Sequence, residues 1–430
     1  KNQENNGEEK PIKYFHLNKK EYQQTINIPA LHFPKRNTGL IMKRLKPYVI
    51  DRKPFAPLHD DPEKQGYKYL YLKGDMTKEK IEQLEIELKE INAMDTIQRN
   101  GLIDLIKNKK VELTFDDLSY EEVLRTYIPS HIDVVKAFES VGHIAHLNLQ
   151  KEHEPYKYLI GEVLMEKNPR ISTVINKLGT IHATYRFFDM EVIAGKKDFE
   201  VEQAEHGVRF QFNYAQVYWN SRLSTEHQRL RDYISEGEVV ADMMAGVGPF
   251  ALPIAKHIKN VFVHANDLNP TSYHYLCKNI NLNKLDSPKK IEPYNMDGRA
   301  FIKHLVSKNI MFHHVIMNLP ASAITFLDVF QGLYAKVHAP VMPMIHCHTF
   351  IETYNGSPIR KAKQNTAMHL GTTVENIKFH KIHLVRNVAP NKNMYCISFQ
   401  LPSEVGCAAT KRKPLIDRPS QTSPPKKIRE

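Results

Sequence analysis

The sequence predicts an α/β chain built around a Rossmann-like parallel sheet, and three segments carry that expectation. Val239-Val240-Ala241-Asp242-Met243-Met244-Ala245-Gly246-Val247-Gly248-Pro249-Phe250 reads as a buried strand running into a glycine turn that opens a helix. Val261-Phe262-Val263-His264-Ala265-Asn266 reads as a second buried strand. Asp267 ends it about 20 residues after the glycines, the spacing at which such a unit sets an acid against a ribose. His314-Val315-Ile316-Met317 is a further apolar run closed by Asn318-Leu319-Pro320. It puts an amide and a rigid turn at a strand's carboxyl end, where open α/β sheets bind their ligands.

The turn also separates candidate cofactors. A dinucleotide site needs a third small residue in G-x-G-x-x-G so that the helix closes on a pyrophosphate. Here Gly246 and Gly248 are followed by Pro249 and the bulky Phe250, with Ala251 as the only small candidate. Acids before the turn (Asp242), after the second strand (Asp267) and beside Gly298 (Asp297) suit S-adenosylmethionine instead, which offers ribose hydroxyls, an adenine amine and a cationic methionine. Singly, Asp242 and Asp297 fit helix caps as well.

Composition narrows the class. A chain of 430 residues with 41% apolar and 25% charged residues is an ordinary globular protein of two or three domains. No stretch is long or apolar enough to span a bilayer as a helix. The net charge of +12 favours a polyanionic partner such as nucleic acid. Four cysteines (Cys277, Cys347, Cys396 and Cys407) fit no metal-ligand spacing and are too sparse for a disulfide scaffold, so no metal is expected. His346-Cys347-His348 follows an apolar run that continues as a strand, where only the two histidines share a face; they are expected to be neutral polar residues there.

The segments 1–125, 126–205, 206–403 and 404–430 are expected to be a small N-terminal domain with a disordered start, a middle α+β domain, the Rossmann-like domain and a basic disordered tail. In the first, Tyr67 to Leu72 suits a short strand, and Ile81, Leu84, Leu88 and Ile91 mark an amphipathic helix. A second helix is expected from Asp116 through Leu124. In the middle domain, Ile144 to Leu149 and Met190 to Gly195 are strand-like. The Rossmann-like domain ends in strands over Ile382 to Val388 and Tyr395 to Leu401, joined at Pro390-Asn391. The first residue is Lys rather than Met, so a preceding extension, a mitochondrial presequence included, stays unread. Basic clusters at Lys411-Arg412-Lys413 and Lys426-Lys427 resemble a nuclear import signal and equally suit a solvated tail with some affinity for RNA.

Val217-Tyr218-Trp219-Asn220-Ser221-Arg222-Leu223-Ser224-Thr225-Glu226-His227 sets an aromatic ring, a cation and a carboxylate close together just before the first sheet strand. One reading makes Ser224 or Thr225 a helix cap, Glu226 a first-turn acid and Trp219 core. The other makes them a site for an extruded nucleobase, stacked on an aromatic ring and deprotonated by a carboxylate.

These runs, with Gly142 to Leu149, Ala245 to Phe250, Asn266 to Pro270 and Met317 to Pro320, resemble the archaeal and eukaryotic tRNA (guanine-N1)-methyltransferase family over roughly residues 120 to 401. The resemblance implies a class I Rossmann-like methyltransferase domain that methylates guanosine 37 of tRNA with S-adenosylmethionine. It implies Glu226 as general base, Arg186 balancing charge on guanine O6, and Asn318 with Pro320 orienting the guanine. Tyr218 and Arg222 would surround the flipped base and its phosphate. His227, Asp267, Leu268, Asp297, Gly298 and Asn318, with Gly246 and Gly248, would hold the cofactor. Guanine N1 keeps its proton at physiological pH, so a base must remove it, and burial is expected to raise the carboxylate's pKa for that task. The resemblance further implies a monomer, an N-terminal domain that reads the outer corner of tRNA, and a cytoplasmic enzyme with nucleus and mitochondrion as further compartments. Two rivals share these motifs: aminocarboxypropyl transfer in wybutosine synthesis, and a tRNA-binding protein without activity.

Overall fold

The computed structural model describes residues 17–52, 54–74, 77–89, 106–178, 189–337, 341–354 and 356–408. Arg186, Ile91, the polar start and the basic tail clusters lie outside the described residues. The chain forms two compact units, Lys1–Thr180 with Phe188–Phe199, and Ile181–Phe187 with Glu200–Glu430.

The first unit holds two four-stranded sheets. In one, β1 (Gln24–Pro34), β2 (Leu58–Asp60), β3 (Tyr67–Tyr71) and β4 (Ile106–Leu113) pair antiparallel in the order β2-β3-β1-β4. Helices α1 (Thr38–Leu45) and α2 (Lys78–Lys89) belong to this part of the chain. Ile41 and Leu45 of α1 and Leu84 of α2 share an apolar cluster with Leu31, Phe33 and Leu70 of the sheet, which is the burial that an amphipathic spacing anticipates. The other sheet orders β5 (Glu139–Val141), β6 (Ile144–Leu147), β7 (Thr173–Leu178) and β8 (Asp189–Gly195) in sequence. The helix expected over 116–124 is shorter. A 3-10 turn at Phe115–Asp117 precedes α3 (Tyr120–Arg125), because Ser119 starts a new helix. Its Oγ accepts from the Glu122 amide at 3.3 Å while the Glu122 carboxylate accepts from the Ser119 amide at 2.8 Å, a reciprocal cap that resets the chain direction. Helix α4 (Lys157–Lys167) connects the parallel pair β6 and β7, as a parallel connection requires.

The second unit opens with a hairpin, β9 (Glu200–Glu205) and β10 (Val208–Asn213), and then α5 (Ser224–Arg231). Its seven-stranded sheet is ordered β13-β12-β11-β14-β15-β17-β16. The strands are β11 (Val239–Asp242), β12 (Phe262–Asn266), β13 (Ile291–Tyr294), β14 (His314–Met317), β15 (Met344–Glu352), β16 (Phe379–Ala389) and β17 (Lys392–Gln400). β11 to β15 run parallel, and β17 is antiparallel to both of its neighbours. The interleaved helices are α6 (Ala251–His257), α7 (Pro270–Leu282), α8 (Gly298–Ser307) and α9 (Pro358–Leu370), with a short α10 (Ser403–Gly406) at the end. Local chemistry sets their starts. Asn269 Oδ1 accepts from the Thr271 amide at 2.9 Å ahead of Pro270, and Ser357 Oγ accepts from the Arg360 amide ahead of Pro358. Gly371 at φ +69° ends α9. The central strands are near-continuous apolar runs because both faces are covered. No described helix is long and apolar enough to cross a membrane.

β12 and β13 lie on one side of β11 and β14 and β15 on the other, so the strand order reverses between β11 and β14. At such a point the loops leaving neighbouring strands diverge, and a crevice opens at their carboxyl ends. The glycine turn lies there. Gly246 adopts φ +57° and Gly248 φ +99°. A Cβ on Gly248 would meet Leu252 Cδ1 at 2.0 Å, whereas one on Gly246 would meet nothing within 4 Å. Gly248→Ala is therefore expected to lower unfolding free energy by roughly 2–3 kcal/mol or more, combining backbone strain with overpacking. Gly246→Ala should cost only about 1 kcal/mol. Urea denaturation of the two variants measures the difference.

Candidate active site

A cavity of about 980 Å³, its open mouth included, sits at the carboxyl ends of β11, β12 and β14 and in the turn before α8. Gly246, Asp267, Leu268, Asp297, Gly298, Asn318, Tyr218 and His227 all line it, so most of the residues singled out from sequence meet at one place. Gly248 shapes the turn without lining the wall, and Glu226, Arg222 and Pro320 also lie off the wall. Met243, Met244, Phe250, Leu319 and Phe326 supply an apolar floor.

The acids differ in what they do. Asp267 Oδ2 accepts from the Gly246 amide at 2.8 Å and Oδ1 from the Asn269 amide at 2.9 Å. It clasps the glycine turn and keeps further acceptor capacity for a hydroxyl pair. Asp297 caps α8 through the Arg299 and Ala300 amides at 3.0 and 3.2 Å, as one of its sequence readings expected, and it also lines the cavity. Asp242 neither caps a helix nor reaches the wall. It is fully buried, and burial pushes its carboxyl up to about 8, with the Asp267 charge adding to the shift and the Met244 amide opposing it.

Three side chains that the sequence did not single out hold this region together. Asn266, fully buried, donates to the carbonyls of Met243 and Met296 at 3.1 and 3.0 Å and accepts from the Met296 amide at 3.0 Å. It ties together the ends of three adjacent strand loops. Asn279 on α7 donates to the Val247 carbonyl at 3.2 Å and pins the glycine turn to that helix. Glu205 sits 2.6 Å from His227 Nδ1 and fixes that ring at the cavity wall. An Asn ending an apolar run is the only sequence signal among them.

Helix α5 departs from expectation. Neither Ser224 nor Thr225 caps it; Leu223 holds the cap position with no side-chain bond, and Ser224 Oγ meets His206 Nε2 at 2.9 Å. Glu226 does fall in the first turn, 3% exposed. Arg229, one turn on, grips both of its oxygens at 2.6 and 2.7 Å, and His348 Nε2 lies 2.7 Å from Oε1. The expected rise in its pKa is not what the structure gives. Burial does oppose the charge, but the Arg229 and His348 hydrogen bonds outweigh it and hold the carboxyl down at about 2.

On β15 the alternation is as anticipated. Ile345, Cys347 and Ile351 join the main apolar core, while His346 and His348 share the opposite face. The expectation that both are neutral fails at His348. Its Nε2 faces the Glu226 carboxylate and its Nδ1 faces the Met317 carbonyl at 3.3 Å, so both nitrogens meet acceptors and the ring is an imidazolium. Burial alone would lower its pKa; Cys396 and Glu226 raise it to about 10. His346 stays neutral, pushed well below the usual range by burial, with His314 at 3.0 Å and Ser398 at 2.8 Å as partners. Glu226, His348 and Cys396 offer ligand atoms within 4.8 Å of one another. Arg229 already occupies both carboxylate oxygens, so the charge is balanced without a metal ion.

Residues 201–375 match the TRM5/TYW2 methyltransferase domain, and residues 120–198 match the TYW2 N-terminal domain. A tRNA (guanine(37)-N(1))-methyltransferase of Xenopus tropicalis is 38% identical over 90% of this chain and 78% of its own length. The Homo sapiens protein of that name is 37% identical over 90% of this chain and 76% of its own. The chain belongs to the tRNA (guanine(37)-N(1))-methyltransferase family. Among solved structures, Trm5b from Pyrococcus abyssi superposes with a TM-score of 0.59 at 23% identity, covering 87% of this chain and 99% of that one. Its fold is the same, with a Rossmann-like sheet and smaller N-terminal domains.

Membership in the methyltransferase family gives the polar atoms of the cavity a use. Asn318 Oδ1 and Trp219 Nε1 are buried without a hydrogen-bond partner, and both residues line the wall. An orphaned acceptor and donor beside the Asp267 carboxylate fit a ligand with amines and ribose hydroxyls, and carboxylates would repel a pyrophosphate. S-adenosylmethionine fits that donor set.

The ion pair has a pH signature of its own. An imidazole raised from about 6.5 to about 10 stabilises the fold fully below pH 6.5 and loses that contribution as pH rises through 10. Urea titrations should find the protein a few kcal/mol less stable at pH 10.5 than at pH 6.5. In His348→Gln most of that difference should disappear.

Proposed function

We propose that this chain transfers the methyl group of S-adenosylmethionine to N1 of guanosine 37 in tRNA. The observation that carries the reading is the cavity at the strand-order reversal, where Asp267, Asp297 and Asn318 converge on one wall and Tyr218 and His227 also line the cavity. The family supplies the reaction. When bound, the cofactor offers a methyl on a sulfonium centre, so the S–CH₃ bond breaks as an electron pair on N1 forms the new N–CH₃ bond.

The residues have the remaining tasks. Asp267 and Asp297 would take the ribose, and Gly246, Gly298 and Leu268 would let the nucleoside lie close to the backbone. Asn318 would orient the guanine edge. Tyr218 would lie against an extruded base, its hydroxyl held by Asn220 Nδ2 at 3.1 Å. Arg222 and Pro320 would flank the base and its phosphate. Arg186, outside the described residues, keeps the role of balancing charge on O6. Glu226 would receive the N1 proton. It precedes the wall residue His227 in the first turn of α5. The monomeric state, and the cytoplasm with nucleus and mitochondrion as further compartments, belong to the same proposal and rest on the resemblance and the basic tail.

The test is transfer of labelled methyl to two tRNA transcripts that differ only in guanosine or adenosine at position 37. Label on the guanosine transcript alone is the expected result. Label on neither, with the cofactor bound, would point to aminocarboxypropyl transfer or to binding without turnover. Glu226→Gln should slow single-turnover transfer by roughly 10²-fold or more with cofactor affinity unchanged. A near-normal rate would remove Glu226 from the chemistry.

A further inference from the structure

A carboxylate held at both oxygens by cations is a poor proton acceptor, yet the proposed reaction releases one proton from N1 each turnover. Glu226 and His348 are separated by 2.7 Å, too close for two lone pairs to face each other, so the contact contains one shared proton. The pair therefore has three states, with no proton, one or two between them. Adding a second proton is hard because Arg229 and the imidazolium both stabilise the carboxylate. Adding the first is easy, because it relieves the repulsion between the carboxylate and a bare Nε2.

We propose that His348 is a positioning residue for the reaction, and that the Glu226–His348 pair, emptied of its shared proton, is the unit that accepts the proton of guanine N1. The inference rests on the reading of Glu226 as the group that meets N1. The N1–H bond breaks and an Oε–H bond forms on Glu226. That proton passes on to His348 Nε2, while the N1 electron pair takes the methyl group and the sulfonium pair returns to sulfur. The state with one shared proton, which is the one described above, is then the state after transfer.

Among the described residues, a partly exposed imidazole beside the pair is the route by which it empties between turnovers. His383 Nε2 lies 3.9 Å from Glu226 Oε2, and its side chain is 34% exposed. The groups that face His348 on every side are Glu226 and Arg229 of α5, Cys396 of β17, His346 of its own strand, His383 of β16 and Asp242 of β11. Of these, burial keeps His346 neutral, and Asp242, raised to about 8, is mostly neutral at pH 7 and ionises above it, where its negative charge favours the protonated pair and so opposes, rather than produces, a rise in rate with pH. Cys396 and Ser398 continue behind His348 as a weak sulfur–hydroxyl contact of 3.9 Å, which leads away from solvent.

The experiment is single-turnover methyl transfer to the guanosine-37 transcript at saturating cofactor and tRNA, from pH 6 to 9. The wild-type rate is expected to rise about tenfold per pH unit, as the fraction of emptied pair does. In His348→Gln the rise should shrink to less than about twofold across the range, with cofactor affinity unchanged. A flat wild-type profile overturns the proposal. So does an unchanged slope in His348→Gln, which assigns the titration to guanine N1 itself. Absence of label on guanosine 37 in the wild type would instead overturn the functional reading beneath it. Should His348→Gln fail to fold, the wild type labelled with ¹⁵N-histidine decides: a His348 ring that stays protonated up to pH 9, as the unbroken rise in rate requires, supports the pairing, and a ring that is neutral within the range overturns it.

Discussion

The chemistry of the second unit depends on keeping a carboxylate charged where water is nearly excluded. Moving an isolated carboxylate out of water costs several kcal/mol even after the protein relaxes, and Glu226 is only 3% exposed. Two cations prevent it from simply taking up a proton. Arg229 grips it as a fork from one turn along the same helix, and His348 meets it from β15. The helix supplies one partner and the sheet the other, so the carboxylate is fixed only when α5 is docked on the sheet. Packing thus becomes a condition for chemistry: loosening α5 leaves a buried charge without its partners, which is costlier than the loss of any apolar contact nearby.

That dependence explains the composition of β15. A central strand of a parallel sheet is normally aliphatic on both faces. β15 keeps Ile345, Cys347 and Ile351 on the core side but carries two histidines on the other, because that face meets a charged helix. His346 and His348 are two residues apart and equally buried, yet they titrate in opposite directions. His346 has a neutral imidazole and a hydroxyl as partners, so desolvation wins; His348 has a carboxylate, so attraction wins. Identity and burial do not decide the charge of a histidine here; the partner does.

The sheet was legible in the sequence because its signals are local. Val239 to Asp242, Phe262 to Asn266 and His314 to Met317 are short apolar runs bounded by turn chemistry, and each forms a strand with nearly the predicted ends. The cavity was legible for the same reason, since an acid or amide at a strand's carboxyl end has few places to go in this topology. Arg229, Glu205 and Asn266 were not legible as braces. Glu205 and Asn266 meet partners 22 and 30 residues away or backbone carbonyls that any residue supplies, which no spacing rule reports; Arg229 stands three residues from Glu226, a helical spacing that suggests a surface pair and says nothing of its burial. The cap predicted at Ser224 failed for a related reason: His206, from the preceding hairpin, takes the hydroxyl that a local rule assigns to the helix.

The protonation of Glu226 shows where sequence reasoning stops most clearly. A carboxylate bound for a base's role is expected to have a raised pKa, and burial does push that way. The sign is reversed by two groups: a guanidinium three residues on, whose helical spacing gives no sign of burial, and an imidazole 122 residues on, which no spacing reports. A carboxyl held near 2 is suited to staying charged, and an imidazole raised to about 10 is suited to holding a proton once it has one. Taken singly, each is mismatched to removing a proton from guanine at neutral pH. Taken as one unit, they have a high affinity for a first proton and a low one for a second, and the high one, available when the pair is empty, matches the task. The relevant titrating species is therefore the pair, and the residue named by the motif is only the half of it that faces the substrate.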